Sequence, residues 1–144
     1  MDWQEDFKRK FALPEEAVRV IKSGDRVVFA APEPLSLGLA LAARGDELKG
    51  VKIFMYGPSR DFGWYDPGWE DSFQISIGYV LPIARQMMNE RRGDYLVGSV
   101  FAYPDPSCME KADVYMVQLS PPDKHGFCSF GNSLWDKKRR VEEA

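Results

Sequence analysis

Gln118-Leu119-Ser120-Pro121-Pro122-Asp123-Lys124-His125-Gly126-Phe127-Cys128-Ser129-Phe130-Gly131-Asn132-Ser133 is the stretch on which the fold reading turns. The run before and into it, 113–119, carries valines, a tyrosine and a leucine and reads as a buried strand. Pro121 and Pro122 stop that strand, because each fixes φ and removes a backbone donor. Gly126 and Gly131 then permit positive φ and close approach of a ligand or another backbone. Ser129, Asn132 and Ser133 can cap a following helix or bind polar atoms. A strand that empties into such a loop, before a helix over 135–144, describes the carboxyl edge of an open α/β sheet, where ligands bind.

Upstream, the chain alternates in the way that reading requires. Residues 26–30 form a short strand bounded by turn chemistry, 31–34 a proline-stiffened corner, 35–44 an Ala/Leu-rich helix that ends at Gly45, and 51–56 a second strand. Strand, helix, strand at this spacing predicts parallel pairing through right-handed crossovers. Residues 8–22 read as a helix, with Pro14 suited to a first helical position, Ala17, Val20 and Ile21 on one apolar face, and Gly24 beyond its end. A third strand is expected at 74–78. A helix over 79–92 follows, with Val80, Ile83, Ala84, Met87 and Met88 inward, then a strand at 94–97 and a loop with a helical turn at 104–111.

Residues 57–73 break the pattern. They mix glycine and proline with Phe62, Trp64, Tyr65, Trp69 and Phe73 at no fixed period. A connection longer than about 12–15 residues is usually functional or disordered, and so many aromatics argue against disorder. Two readings stay open: a lid over the domain's own core, or a ligand or subunit contact.

The 144 residues suffice for one domain with a core, and 44% hydrophobic with 28% charged content is that of a globular chain. Nineteen basic against 22 acidic residues give a net charge of −3, which supports neither nucleic acid nor a membrane surface as partner. Apolar runs fall far short of the ~20 residues of a membrane span, and Met1-Asp2-Trp3-Gln4-Glu5-Asp6 is too acidic for a signal peptide. A cytoplasmic protein is expected. Cys108 and Cys128 have no Cys-x-x-Cys spacing, so neither a disulfide framework nor a zinc site is indicated.

The run Ser120-Pro121-Pro122-Asp123-Lys124-His125-Gly126-Phe127-Cys128-Ser129-Phe130-Gly131 resembles the signature loop of the acetyl-CoA hydrolase/transferase family, which includes 4-hydroxybutyrate and butyryl-CoA:acetate CoA-transferases. The resemblance implies an open, mostly parallel α/β sheet with helices on both faces, of the CoA-transferase type. It covers one N-terminal-type domain, residues 1–144, without the family's last strand or strands and without the second domain, which carries the nucleophilic glutamate. The implied reaction moves CoA between carboxylates, or hydrolyses acyl-CoA, through a glutamyl-CoA thioester. Acyl-CoA and a carboxylate are then the substrates, no permanently bound cofactor or metal is expected, and a second polypeptide and oligomerisation complete the enzyme. The alternatives are a non-catalytic binding or assembly subunit, or a subunit for a different acyl-CoA reaction.

The resemblance places no catalytic residue in this chain, and places substrate or CoA binding at Glu33, Pro34, Asp123, His125, Gly126, Ser129, Gly131 and Asn132. Family members show Gly-Glu-Pro after the first strand; here Pro32 replaces the glycine and offers no backbone donor. Taken on its residue type, Glu33 reads as a polar residue on a corner. His125, the only imidazole, is either a general acid or base or a brace bonded to Asp123 or a backbone carbonyl; covalent chemistry with a thiolate leaving group favours the brace. Asp123 after two prolines reads as a turn-former, and a triad using Ser129 lacks a nucleophile-elbow motif. The run Lys137-Lys138-Arg139-Arg140 reads as a solvated helix face before it reads as a phosphate site. Phe127 and Phe130 imply partial burial of Cys128, and Trp64, Tyr65 and Trp69 suggest a packed core before a stack on adenine.

Overall fold

The computed structural model describes residues 2–97, 111–131 and 137–143. In chain order it contains α1 (Trp3–Lys10), α2 (Pro14–Ala17), a 3-10 turn (Val18–Val20), β1 (Arg26–Phe29), α3 (Leu35–Ala42), β2 (Val51–Met55) and β3 (Phe73–Ile77). A second 3-10 turn (Pro82–Ala84), α4 (Arg85–Asn89), β4 (Asp94–Tyr95), β5 (Val114–Met116) and α5 (Lys137–Glu143) follow.

The five strands form one open sheet in the order β4-β3-β2-β1-β5, parallel at every pairing. The chain thus lays β2, β3 and β4 to one side of β1 and then returns to place β5 on the other. Register is continuous through the centre: Val27 pairs with Ile53 and Val114, and Phe29 with Met55 and Met116. Both ends of the β1–β5 pair are tied, by Arg26 N–H to Asp113 Oδ2 at 2.8 Å and by Ala30 N–H to the Met116 carbonyl at 2.9 Å.

Alternation along the strands separates two apolar clusters. Val27, Phe29, Val51, Ile53, Met55, Phe73, Ile75, Ile77 and Met116 face the main core, which is closed by Val18, Ile21, Ala40, Leu41, Ala84 and Met87 from the helical segments. Val28, Phe54 and Ala112 form a smaller cluster on the opposite face, with Tyr56 and Tyr115 against it. The main core also takes Phe62, Trp64 and Tyr65 from the long β2–β3 connection. Trp64 stands edge-on to Phe29 at 5.7 Å and to Phe73 at 5.3 Å, and Phe62 lies 4.7 Å from it. Of the two readings of this segment, the structure bears out the lid over the domain's own core.

Several boundaries differ from the sequence reading, for local reasons. The helix expected over 8–22 is broken: Asp2 caps α1 by accepting from Gln4 N–H at 3.1 Å, and the chain then runs extended at Phe11 and at Leu13, ahead of Pro14. A residue before proline is pushed out of the α region. Leu81, with ψ 162 before Pro82, shortens the helix expected over 79–92 in the same way. The strand expected at 113–119 pairs only over Val114–Met116, because β1 turns away after Ala30. Of the segment expected as a loop at 104–111, residues 104–110 lie outside the described residues.

Gly38 marks the closest approach between α3 and the aromatic cover. A Cβ there would stand 2.2 Å from Phe62 Cε1, a separation that requires the ring or the helix to move. Gly38→Ala is therefore expected to lower unfolding free energy by about 1–3 kcal/mol, read by urea denaturation. The double variant Gly38→Ala, Phe62→Ala should cost less than the sum of the two single changes; strict additivity would show that the two residues do not share this contact.

Candidate functional site

In an open parallel sheet, a ligand crevice forms where strand order reverses, outside the carboxyl ends. Here that point lies between β1 and β5. The turn after β1, 30–34, and the loop after β5, 117–131, leave the sheet side by side, because Phe29 and Met116 are register partners. The connection after β2 leaves on the other flank of the β1 turn.

The β1 turn holds Glu33 and Pro34, both buried. Glu33 is 2% exposed and its Oε2 accepts from the Ser59 hydroxyl at 2.6 Å. This corrects the reading of Glu33 as a polar corner residue: the carboxylate points inward, and Ser59 reaches it from the β2 connection. Pro34 flanks α3 and accepts from Gly38 N–H at 3.0 Å through its carbonyl. The Ala31–Pro32 bond is cis. Nearby, burial raises the Tyr65 hydroxyl above its ordinary pKa and the Glu33 charge pushes in the same direction. The Tyr65 hydroxyl donates to Met55 Sδ at 3.6 Å, and Trp64 Nε1 is buried without a partner among the described residues.

The loop after β5 is locked by its own polar groups. Ser120 and Ser129 close its neck: Ser120 N–H donates to the Ser129 carbonyl at 2.9 Å, and Ser129 N–H to Ser120 Oγ at 2.8 Å. Inside that neck, Asp123 Oδ1 accepts from His125 N–H at 2.8 Å and from Phe127 N–H at 3.0 Å, while Asp123 N–H donates to the Phe127 carbonyl at 2.9 Å. Asp123 is thus the turn-former it was expected to be. Gly126 takes φ 88, and a Cβ there would meet Trp3 Cγ at 2.8 Å, so α1 packs directly on the loop. Gly131 takes φ 73 and donates to Ser129 Oγ at 3.2 Å. Ser129 therefore serves the loop itself, where a helix cap was one expectation.

His125 is exposed, and it is its backbone that Asp123 holds; the imidazole makes no hydrogen bond among the described residues. Cys128 is exposed, against the expected partial burial, because Phe127 beside it turns outward and is 74% exposed. Asn132, Ser133 and Cys108 lie outside the described residues. Lys137 departs from the expected solvated face: it is 2% exposed and its Nζ donates to the Phe130 carbonyl at 3.2 Å, with burial lowering the ammonium's pKa. Lys138 remains on the surface.

Three contributors escaped the sequence reading. Ser59, Trp3 and Lys137 each act across a large separation or against their residue type, and only the Gly57-Pro58 break just before Ser59 hinted at a turn into the site. Among the described residues no cluster of His, Cys, Asp and Glu could hold a metal ion, and no helix is long and apolar enough to cross a membrane.

Comparison with known proteins agrees with the loop resemblance. The family model described as acetyl-CoA hydrolase/transferase N-terminal domain matches residues 1–144. The chain is 34% identical to 4-hydroxybutyrate coenzyme A transferase of Clostridium kluyveri, over 100% of this chain and 34% of that protein. It is 30% identical to butyryl-CoA:acetate CoA-transferase of Anaerostipes caccae, over 100% of this chain and 33% of that protein. The chain thus spans about a third of the length of these relatives. Among solved structures, RipA from Yersinia pestis superposes with a TM-score of 0.78 over 98% of this chain and 36% of that one, at 22% identity, a likeness of fold.

The Asp123 carboxylate is expected to determine the shape of the loop. Asp123→Ala should speed hydrogen exchange at the His125 and Phe127 amides by tenfold or more, since a lost charge-assisted bond of about 1.5–3 kcal/mol allows at least that much local opening. Asp123→Asn, which keeps an acceptor, and His125→Ala should leave both amides largely protected. Equal exchange in all three variants would show that the loop is held from elsewhere.

Proposed function

The chain belongs to the acetyl-CoA hydrolase/transferase family as an N-terminal domain, and from that membership we propose that it forms one wall of an acyl-CoA site in which CoA passes between carboxylic acids. The nucleophile is a glutamate outside this chain, on a further domain in cis or in trans. Its carboxylate attacks the thioester carbonyl and expels CoA thiolate, giving a mixed anhydride. The thiolate then attacks the glutamyl carbonyl, releases the first acid and leaves glutamyl-CoA. The acceptor carboxylate takes the same two steps in reverse: it forms a new anhydride with release of thiolate, and the thiolate recaptures the acyl group and frees the glutamate. Water in place of the acceptor acid yields hydrolysis.

The observation that carries this reading is the pairing of the Glu33-Pro34 turn with the locked 120–131 loop on adjacent strands at the reversal of strand order. Both segments are held by hydrogen bonds, so they can orient an acyl thioester, and such positioning contributes to the rate of a transfer reaction. His125 serves as part of this wall. Every step expels a thiolate or a carboxylate, neither of which requires a proton donor. A non-catalytic assembly subunit would use the 57–73 segment to hold a partner, whereas Phe62, Trp64 and Tyr65 of that segment are buried in the domain's own core.

The test is native mass spectrometry of the protein purified untagged from its source, followed by a CoA-exchange assay on the species found. The expected result is a species that carries a second nucleophile-bearing domain or polypeptide and exchanges CoA. Incubation with acyl-CoA alone should then add the mass of CoA to that domain, as a thioester cleaved by hydroxylamine. A folded 144-residue species that is alone and inactive would refute the proposal.

A further inference from the structure

The helix α1 is amphipathic, and its apolar face is uncovered. Trp3, Phe7 and Phe11 recur every four residues, which places them on one stripe of the helix and its C-cap. The rings of Phe7 and Phe11 stand 6.3 Å apart, at 46% and 72% exposure, and none of the eight residues Trp3–Lys10 is buried. Charges beside the stripe are settled within the helix, where Asp6 pairs with both Arg9 and Lys10. An isolated helix shorter than about 12–15 residues is marginal in water, and most helices in proteins are stabilised by packing such a face. The pattern of α1 thus calls for a surface to pack against.

That face stands beside the candidate site. Trp3 lies against Gly126, where a Cβ would come within 2.8 Å of Trp3 Cγ, and the next residue of the loop, Phe127, is 74% exposed. Three exposed phenyl rings and a partly covered indole therefore line α1 and the loop on which it is seated. Exposed apolar groups gathered in this way mark interaction surfaces, and aromatic side chains are the usual anchors at their centres. On the transferase reading, the site is completed by a domain that brings a carboxylate to the thioester. This chain spans about a third of its relatives, whose remaining length is ample for such a domain. To deliver its carboxylate, that domain must come up to the 120–131 loop, and so to the aromatic surface beside it. A second copy of this chain would bring no nucleophile.

We propose that the Trp3, Phe7 and Phe11 face of α1, together with Phe127, is the surface on which the nucleophile-bearing domain docks, in cis or in trans. Because Trp3 joins this surface to Gly126, docking also seats the 120–131 loop against the incoming domain. This assignment rests on the transferase reading above and deepens it by naming where the further domain binds.

The experiment uses the complete transferase as isolated, with any partner polypeptide. The photoreactive residue p-benzoylphenylalanine is placed at Phe11, one exposed ring for another, and irradiation is followed by peptide mass spectrometry. Cross-links to peptides of the nucleophile-bearing domain are expected. In parallel, Phe7→Asp combined with Phe11→Asp should lower CoA exchange by roughly tenfold or more, because charge is placed in an apolar contact whose aromatic anchors are removed. Val20→Asp makes the same kind of change at a residue 63% exposed on the first 3-10 turn, and should leave exchange within about twofold of wild type. Cross-links confined to this domain or to a second copy of it, unchanged exchange in the double variant, or an equal loss in Val20→Asp would each overturn the assignment while leaving the transferase reading in place. Absence of exchange with every acyl-CoA in the unaltered enzyme would overturn that reading and the assignment with it.

Discussion

Parallel pairing of β1 to β2 on one side and to β5 on the other determines where each loop of the candidate site leaves the sheet. Parallel strands cannot be joined by a tight turn, so each connection crosses the domain and returns, and all strands end at the same edge. The strand order then reverses beside β1. In sheets of this kind ligand crevices form at such a reversal, and here the Glu33 turn and the 120–131 loop follow the two strands that meet at it. Residues Val27 to Phe29 are almost wholly buried, so this geometry is anchored by the most buried strand of the sheet.

Parallel sheets require cover, and the β2–β3 connection provides it without a helix. Phe62, Trp64 and Tyr65 fill the space over Phe29 and Phe73 that a crossover helix would occupy. Aromatic rings bury large areas with few residues, so a loop can cover the sheet in place of a helix. Arg92 holds the loop from outside, donating to the Tyr65 carbonyl at 2.9 Å and pairing with Glu70 at 3.1 Å. The same connection carries Ser59 at its start, so the cover and the contact with Glu33 are fixed by one packed segment.

This division explains what the sequence disclosed. The strands β1 and β2, the helix α3, and the closed loop after β5 were legible, because apolar period, proline and glycine act locally. Asp123 could be read as a turn-former from the two prolines before it, and both bonds to its carboxylate come from within four residues. Glu33 could not be read as buried. Its partner Ser59 is 26 residues away, and nothing at the Glu33-Pro34 dipeptide records that contact. Cys128 and Lys137 were misjudged for a related reason. Type and neighbours suggested burial for the thiol and exposure for the ammonium, and packing gave the reverse, with Phe127 turned outward and Lys137 drawn to the Phe130 carbonyl.

The Glu33 turn and the 120–131 loop are held on different physical terms. The 120–131 loop is exposed, and its shape comes from hydrogen bonds that its own residues make to one another, with Trp3 against Gly126 and Lys137 at the Phe130 carbonyl as outside supports. The shape of such a loop is set mainly by residues close to it in sequence. The Glu33 turn is buried, and its acid is held by a hydroxyl from another segment. One segment thus holds itself by local bonds, and the other is held by a contact made across the fold.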